Sequence, residues 1–147
     1  MTVDGHFFRL ELPSSFDWLE LVQVLSDRLS ALAGLDEDAV HWVGVAVRES
    51  VINAIKHGNR EDLTKHVVIE FTLAPRARTE RVTIRVLDQG EGFDPGALAD
   101  PLAPENLLKS SGRGIFFMRN FMDDVSIARR PEGGMAVQMS KNLVSGT

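Results

Sequence analysis

The chain has 147 residues, 44% hydrophobic and 25% charged, a balance typical of one folded globular domain and unlike a disordered chain. The absence of cysteine excludes disulfides and thiol chemistry, and a net charge of −5 disfavours direct nucleic-acid binding because the surface repels phosphates. No apolar run reaches the ~20 residues of a membrane helix, and residues 1–9 lack a secretory signal pattern, so we expect a cytoplasmic protein without membrane contact.

The first half of the chain predicts one strand and two helices. Apolar residues alternate with charged ones over residues 8–12, which is typical of a half-buried strand. A helix is predicted over residues 16–32 and ends at Gly34. A second helix is predicted from about residue 37 to residue 57, with Asp36 as its N-cap. We expect Gly58 to end this helix in the left-handed conformation.

The second half predicts mainly strands. Residues 66–73 and 81–87 alternate in the manner of a hairpin, and residues 89–111 form a long irregular segment. A short helix over residues 114–122 precedes a terminal hairpin, 125–128 and 135–141. The expected fold class is α+β, a two-layer sandwich of a mostly antiparallel sheet with helices on one face. We expect residues 1–147 to form one domain, with the four methionines 118, 122, 135 and 139 in its core.

A polar row on the second helix is the first functional candidate. Its members are Glu49, Asn53 and Lys56, at helical spacing opposite the apolar stripe. A plain solvent-facing surface would show the same pattern. However, an asparagine amide oxygen is a hard ligand suited to Mg²⁺, and a carboxylate one turn earlier could accept a proton from an attacking hydroxyl.

Two glycine-bearing segments follow. Asp88 ends an apolar strand and precedes Gly90 and Gly92, which permit close backbone approach, while its carboxylate can accept a hydrogen bond from an exocyclic amine such as that of adenine. Gly112 and Gly114 flank an arginine where a helix begins, and helix N-terminal amides can hold phosphate. Alone, the first segment is equally a glycine-rich turn and the second a helix cap.

Together the three segments resemble the N, G1 and G2 boxes of the ATPase superfamily that includes DNA gyrase, histidine kinases and mismatch-repair proteins. Within it, the chain is most similar to the anti-sigma-factor serine kinases. Residues 49–57, ESVINAIKH, look like that family's E-x-x-x-N-A-x-K-H, with Glu49 where histidine kinases generally carry asparagine. Residues 92–95, GFDP, and 112–115, GRGI, continue the likeness. The resemblance implies the histidine-kinase-like ATPase fold, with a nucleotide lid at about residues 94–113.

The resemblance also implies a role for each matching residue. Glu49 would be the general base, Asn53 would coordinate Mg²⁺, and Asp88 would bind the adenine amino group of ATP. The implied nucleotide-binding residues are Asn53, Lys56, His57, Asp88, Gly90, Gly92, Phe93, Gly112, Arg113, Gly114 and Ile115.

The function implied by the resemblance is that of an ATP-dependent protein serine/threonine kinase and anti-sigma factor. Its partners would be a sigma factor and a STAS-domain antagonist whose serine is phosphorylated, and the chain would form a homodimer. A nucleotide-binding regulatory module that sequesters a partner without significant kinase activity is the alternative. A detached histidine-kinase catalytic domain is disfavoured by Glu49.

Overall fold

The structure is a computed structural model that describes residues 4–91 and 118–143. In chain order its elements are β1 (His6–Pro13), a 3₁₀ turn (Phe16–Trp18), α1 (Leu19–Ala33), α2 (Glu37–Asn53), a π-helical turn (Ala54–Gly58), β2 (His66–Ala74), β3 (Arg81–Leu87), β4 (Asp124–Arg129) and β5 (Met135–Asn142). Residues 118–121 are helical. The predicted strands and helices in the described ranges are confirmed, with ends shifted by a few residues.

The five strands form one sheet in the order β1-β2-β3-β5-β4, and every neighbouring pair is antiparallel. Strand β5 therefore lies between β3 and β4 and contacts β3 along its whole length, from the Arg81–Asn142 pair to the Leu87–Ala136 pair. Both helices pack on one side of this sheet, so the predicted two-layer α+β architecture is confirmed.

The core lies between the helices and one face of the sheet. Strand β3 has one apolar face and one polar face: Val82, Ile84 and Val86 are at most 1% exposed, whereas Arg85 on the opposite face is exposed. Val43, Val47 and Val51 of α2 follow each other at intervals of four residues and form the facing stripe. Burying a side chain of this size contributes about 1.5–3 kcal/mol, so this stripe fixes α2 on the sheet. The four predicted core methionines, Met118, Met122, Met135 and Met139, are at most 5% exposed, as expected.

The ends of the two helices differ. Gly34 ends α1, as predicted, and does so in the left-handed conformation with φ of 106°. The prediction that Gly58 is left-handed is wrong, because α2 widens into a π-helical turn and the left-handed residues are Arg60 and Glu61, with φ of 53° and 58°. The backbone amide of Asn59 donates to the carbonyl of Ala54 at 2.8 Å, five residues back, which closes this wider turn.

Candidate functional site

Asp88 is a buried carboxylate at the end of β3, with 5% of the residue exposed. Its Oδ1 accepts hydrogen bonds from the backbone amides of Gly90, at 3.0 Å, and Met135, at 3.1 Å. Its backbone carbonyl accepts one from Arg130 Nη1 at 2.6 Å. These bonds fix the orientation of the carboxylate, and within residues 4–91 and 118–143 they leave Oδ2 without a hydrogen bond.

Three glycines surround this aspartate. A Cβ atom on Gly58 would collide with Oδ2 of Asp88 and stand 2.6 Å from its Cγ. A Cβ on Gly90 would collide with the carbonyl oxygen of Gly58, and one on Gly134 would collide with the carbonyl of Asp88. The end of α2, the end of β3 and the start of β5 therefore approach closely only because all three positions lack a side chain. The sequence analysis assigned Gly90 to the site and missed Gly58 and Gly134, although the double glycine at 133–134 was the signal for a close approach.

The electrostatic environment of Asp88 is dominated by its burial. Burial raises the pKa of the Asp88 carboxyl above its usual value, because the charged form loses hydration. The amides of Gly90 and Met135 and the positive charges of Arg130 and Lys65 oppose this rise in pKa only in part. A further hydrogen-bond donor presented to Oδ2 would thus stabilise a charge that the protein by itself compensates incompletely.

The polar row on α2 leads away from this carboxylate. Glu49 and Asn53 are half-buried in α2, while Lys56 and His57 are exposed in the π-helical turn. Asn53 precedes Gly58 by five residues, about 8 Å along a helix axis. Among the described residues none of these four side chains forms a hydrogen bond or ion pair.

The remaining predicted positions cannot be placed on this geometry. Gly92, Phe93, Gly112, Arg113, Gly114, Ile115 and the predicted lid lie outside the described residues. The structure thus brings the helix end and the strand end together at Gly58 and Asp88, and the contribution of the third motif stays a prediction. Arg130, which the sequence analysis did not consider, joins the site through the carbonyl of Asp88.

Comparison with known proteins gives one family and several relatives. The family model of the histidine kinase-like ATPase domain matches residues 18–141. Serine-protein kinase RsbW of Staphylococcus epidermidis is 28% identical over 143 residues, which cover 93% of this chain and 87% of that protein. Serine-protein kinase RsbW of Staphylococcus aureus is 26% identical over 144 residues, with the same coverage of both chains. These matches confirm the resemblance to anti-sigma-factor serine kinases of the histidine-kinase-like ATPase type.

A solved structure has the same fold. The structure of the RsbU and RsbW domains of a Mycobacterium tuberculosis protein superposes with a TM-score of 0.65 at 17% identity. The superposition covers 93% of this chain but 32% of that one, so this chain corresponds to about a third of the larger protein. In the portion of the chain that the structure describes, no helix has the length and apolar character needed to cross a membrane.

Proposed function

The chain belongs to the family of histidine kinase-like ATPase domains, and from that premise we propose that it is an ATP-dependent protein serine/threonine kinase that also acts as an anti-sigma factor. The two RsbW relatives, named as serine-protein kinases, support the kinase assignment over nearly the full length of the chain. The glutamate at position 49 supports activity, since it supplies a base where the transfer requires one.

The observation that carries the proposal is the arrangement of Asp88 among glycines. Oδ1 is held by two backbone amides, while Oδ2 lies against the backbone of Gly58. An adenine ring entering beside these glycines would donate its exocyclic amine to Oδ2. A carboxylate that burial destabilises is suited to this role, because the donor restores a hydrogen bond that water no longer supplies.

The phosphates would lie along α2, toward Asn53 and Glu49. Mg²⁺ keeps several of its waters and is bound together with the substrate phosphates. A single amide oxygen from the protein therefore fits this ion, and a cage of acidic side chains is not needed. Asn53 would hold the ion, whose charge offsets that of the phosphates. Lys56, His57 and the glycines of the third motif, Gly112 and Gly114, would complete the phosphate environment.

The transfer itself would depend on Glu49. Its carboxylate takes the proton of a serine hydroxyl on the protein substrate, and the hydroxyl oxygen forms a bond to the γ-phosphorus. The bond from that phosphorus to the oxygen bridging the β- and γ-phosphates breaks, and ADP leaves with the bonding electron pair. Proton transfer to a positioned side chain contributes about 10²- to 10⁴-fold in rate.

The substrate we propose is a serine of a STAS-domain antagonist, and the sequestered partner is a sigma factor bound by a homodimer of this chain. Incubation with Mg²⁺, ATP labelled in its γ-phosphate and a STAS-domain antagonist protein should transfer the label to that protein. Mass spectrometry should then locate one phosphoserine. Nucleotide binding without transfer would favour the regulatory module without kinase activity, and calorimetry showing no affinity for ATP or ADP would contradict the ATP site.

A further inference from the structure

Asn59 is a buried polar residue that the proposed chemistry does not use. It directly follows Gly58 and is 1% exposed. Its Nδ2 donates to Ser14 Oγ at 2.8 Å and to the carbonyl of His66 at 3.0 Å. Its Oδ1 accepts from the backbone amide of Gln89 at 2.7 Å. One side chain therefore joins three segments that are distant in sequence.

The bonded partners of Asn59 are also bonded to one another. Ser14 Oγ donates to the carbonyl of Lys65 at 2.6 Å, and the backbone amide of His66 donates to Gln89 Oε1 at 2.6 Å. Gln89 is thus held twice, through its backbone by Asn59 and through its side chain by His66. A network in which each buried polar atom has a partner is rigid, because moving one member leaves others unsatisfied.

This network lies beside the aspartate. Asn59 adjoins Gly58 and Gln89 adjoins Asp88, so the 2.7 Å bond between residues 59 and 89 joins the two segments in which Gly58 lies against Oδ2. We propose that Asn59 is a positioning residue that holds the backbone of Gly58 against Oδ2 of Asp88, whose Oδ1 is held by the amides of Gly90 and Met135, and so makes the site selective for 6-aminopurine nucleotides over 6-oxopurine nucleotides. The inference rests on the proposed ATP site.

The chemistry of selectivity follows from which atoms donate. The 6-amino group of ATP donates to Oδ2, whereas the 6-oxo group of ITP is an acceptor that faces another acceptor. This discrimination requires that Oδ2 be held in place, since a carboxylate free to turn could present a bound water to either base. An amide is required at position 59 because the site needs two donors and one acceptor on a single side chain.

The test compares the affinities of the wild type and Asn59→Ala for ATP and for ITP by calorimetry. The wild type should prefer ATP, and the ATP-to-ITP ratio should fall about tenfold in Asn59→Ala. Ser14→Ala is the matched control, since it removes one partner of Asn59 and leaves the bond to Gln89. Its melting temperature should fall while its ATP-to-ITP ratio stays that of the wild type. A merely structural role for Asn59 would lower both affinities together and leave the ratio unchanged.

Asn59→Ser serves where Asn59→Ala does not melt cooperatively, because its hydroxyl is polar but too short to reach the backbone amide of Gln89, so its ATP-to-ITP ratio should also fall. Gln89→Ala is a second control: it loses the bond from the amide of His66 and keeps the backbone amide that Asn59 binds, so its ratio should stay that of the wild type. An unchanged ratio in a folded Asn59 variant would overturn the inference alone. A wild type that binds neither nucleotide would overturn the inference and the proposed function together.

Discussion

Replacing Asp88 by asparagine separates the effect of this carboxylate on stability from its effect on ligand binding. The amide oxygen of Asp88→Asn can still accept from the amides of Gly90 and Met135, which lie 3.0 and 3.1 Å from Oδ1 in the wild type. The NH₂ group takes the place of Oδ2 beside Gly58. Because burial raises the pKa of Asp88, removing the charge also removes a desolvation cost. The free energy of unfolding should therefore change by less than about 1 kcal/mol.

The effect on nucleotide binding should be much larger. A hydrogen bond to a charged acceptor contributes about 1.5–3 kcal/mol, so its loss should weaken ATP binding about 10- to 100-fold. The new amide donor also faces the donor of adenine, while it matches the 6-oxo acceptor of ITP. The variant should consequently lose its preference for ATP and shift towards ITP.

Calorimetric titration with both nucleotides in the presence of Mg²⁺, together with thermal denaturation, would measure both effects. Asp88→Ala is a useful contrast, since it removes the carboxylate that accepts from the buried amide of Gly90 and should cost about 1–3 kcal/mol of stability. If Asp88→Asn binds ATP with wild-type affinity while remaining folded, Oδ2 does not contact the base and the reasoning from its orientation is wrong.

Three further predictions concern the same site. Glu49→Gln should retain ATP affinity by calorimetry and lose phosphoryl transfer by ~10²-fold or more; transfer at the normal rate would refute the general-base role. Gly90→Ala should lower the melting temperature and ATP affinity, at a cost of about 1–3 kcal/mol of stability, because its Cβ would collide with the backbone of Gly58. Gly133→Ala is the contrast: its Cβ is 3.8 Å from the nearest atom but its φ is 103°, so backbone strain should lower its melting temperature while its ATP affinity stays that of the wild type. Lowering the pH through the raised pKa of Asp88 should weaken ATP binding in the wild type more than in Asp88→Asn. The contribution of Asp88 to folding stability has the opposite pH dependence, because the native state binds the proton of this carboxyl more tightly than the unfolded state does. This contribution is lost as pH rises from about 3.8 through the raised pKa of the native state. Denaturant unfolding at a series of acidic pH values should show the loss.

The sequence by itself determined the elements and their faces. The alternation of Val82, Ile84 and Val86 predicted which side of β3 is buried, and the spacing of Val43, Val47 and Val51 predicted the inner stripe of α2. Both patterns are local, because a strand repeats every two residues and a helix every 3.6. The same local patterns predicted that Asp88 lies at the end of a strand and that α2 carries a polar row. These two features supported the resemblance to a family of ATPases.

The tertiary structure alone decided what surrounds Asp88. The amide that orients its carboxylate belongs to Met135, which is 47 residues away and adjacent only because β5 pairs with β3. The π-helical turn and the contact of Gly58 with Oδ2 likewise depend on how α2 meets the sheet, so the sequence pattern suggested an ordinary helix end there. The bond between Asn59 and the amide of Gln89 joins residues 30 positions apart, so it too depends on packing. Hydrogen bonds between distant segments follow from strand order and packing, which no local periodicity encodes.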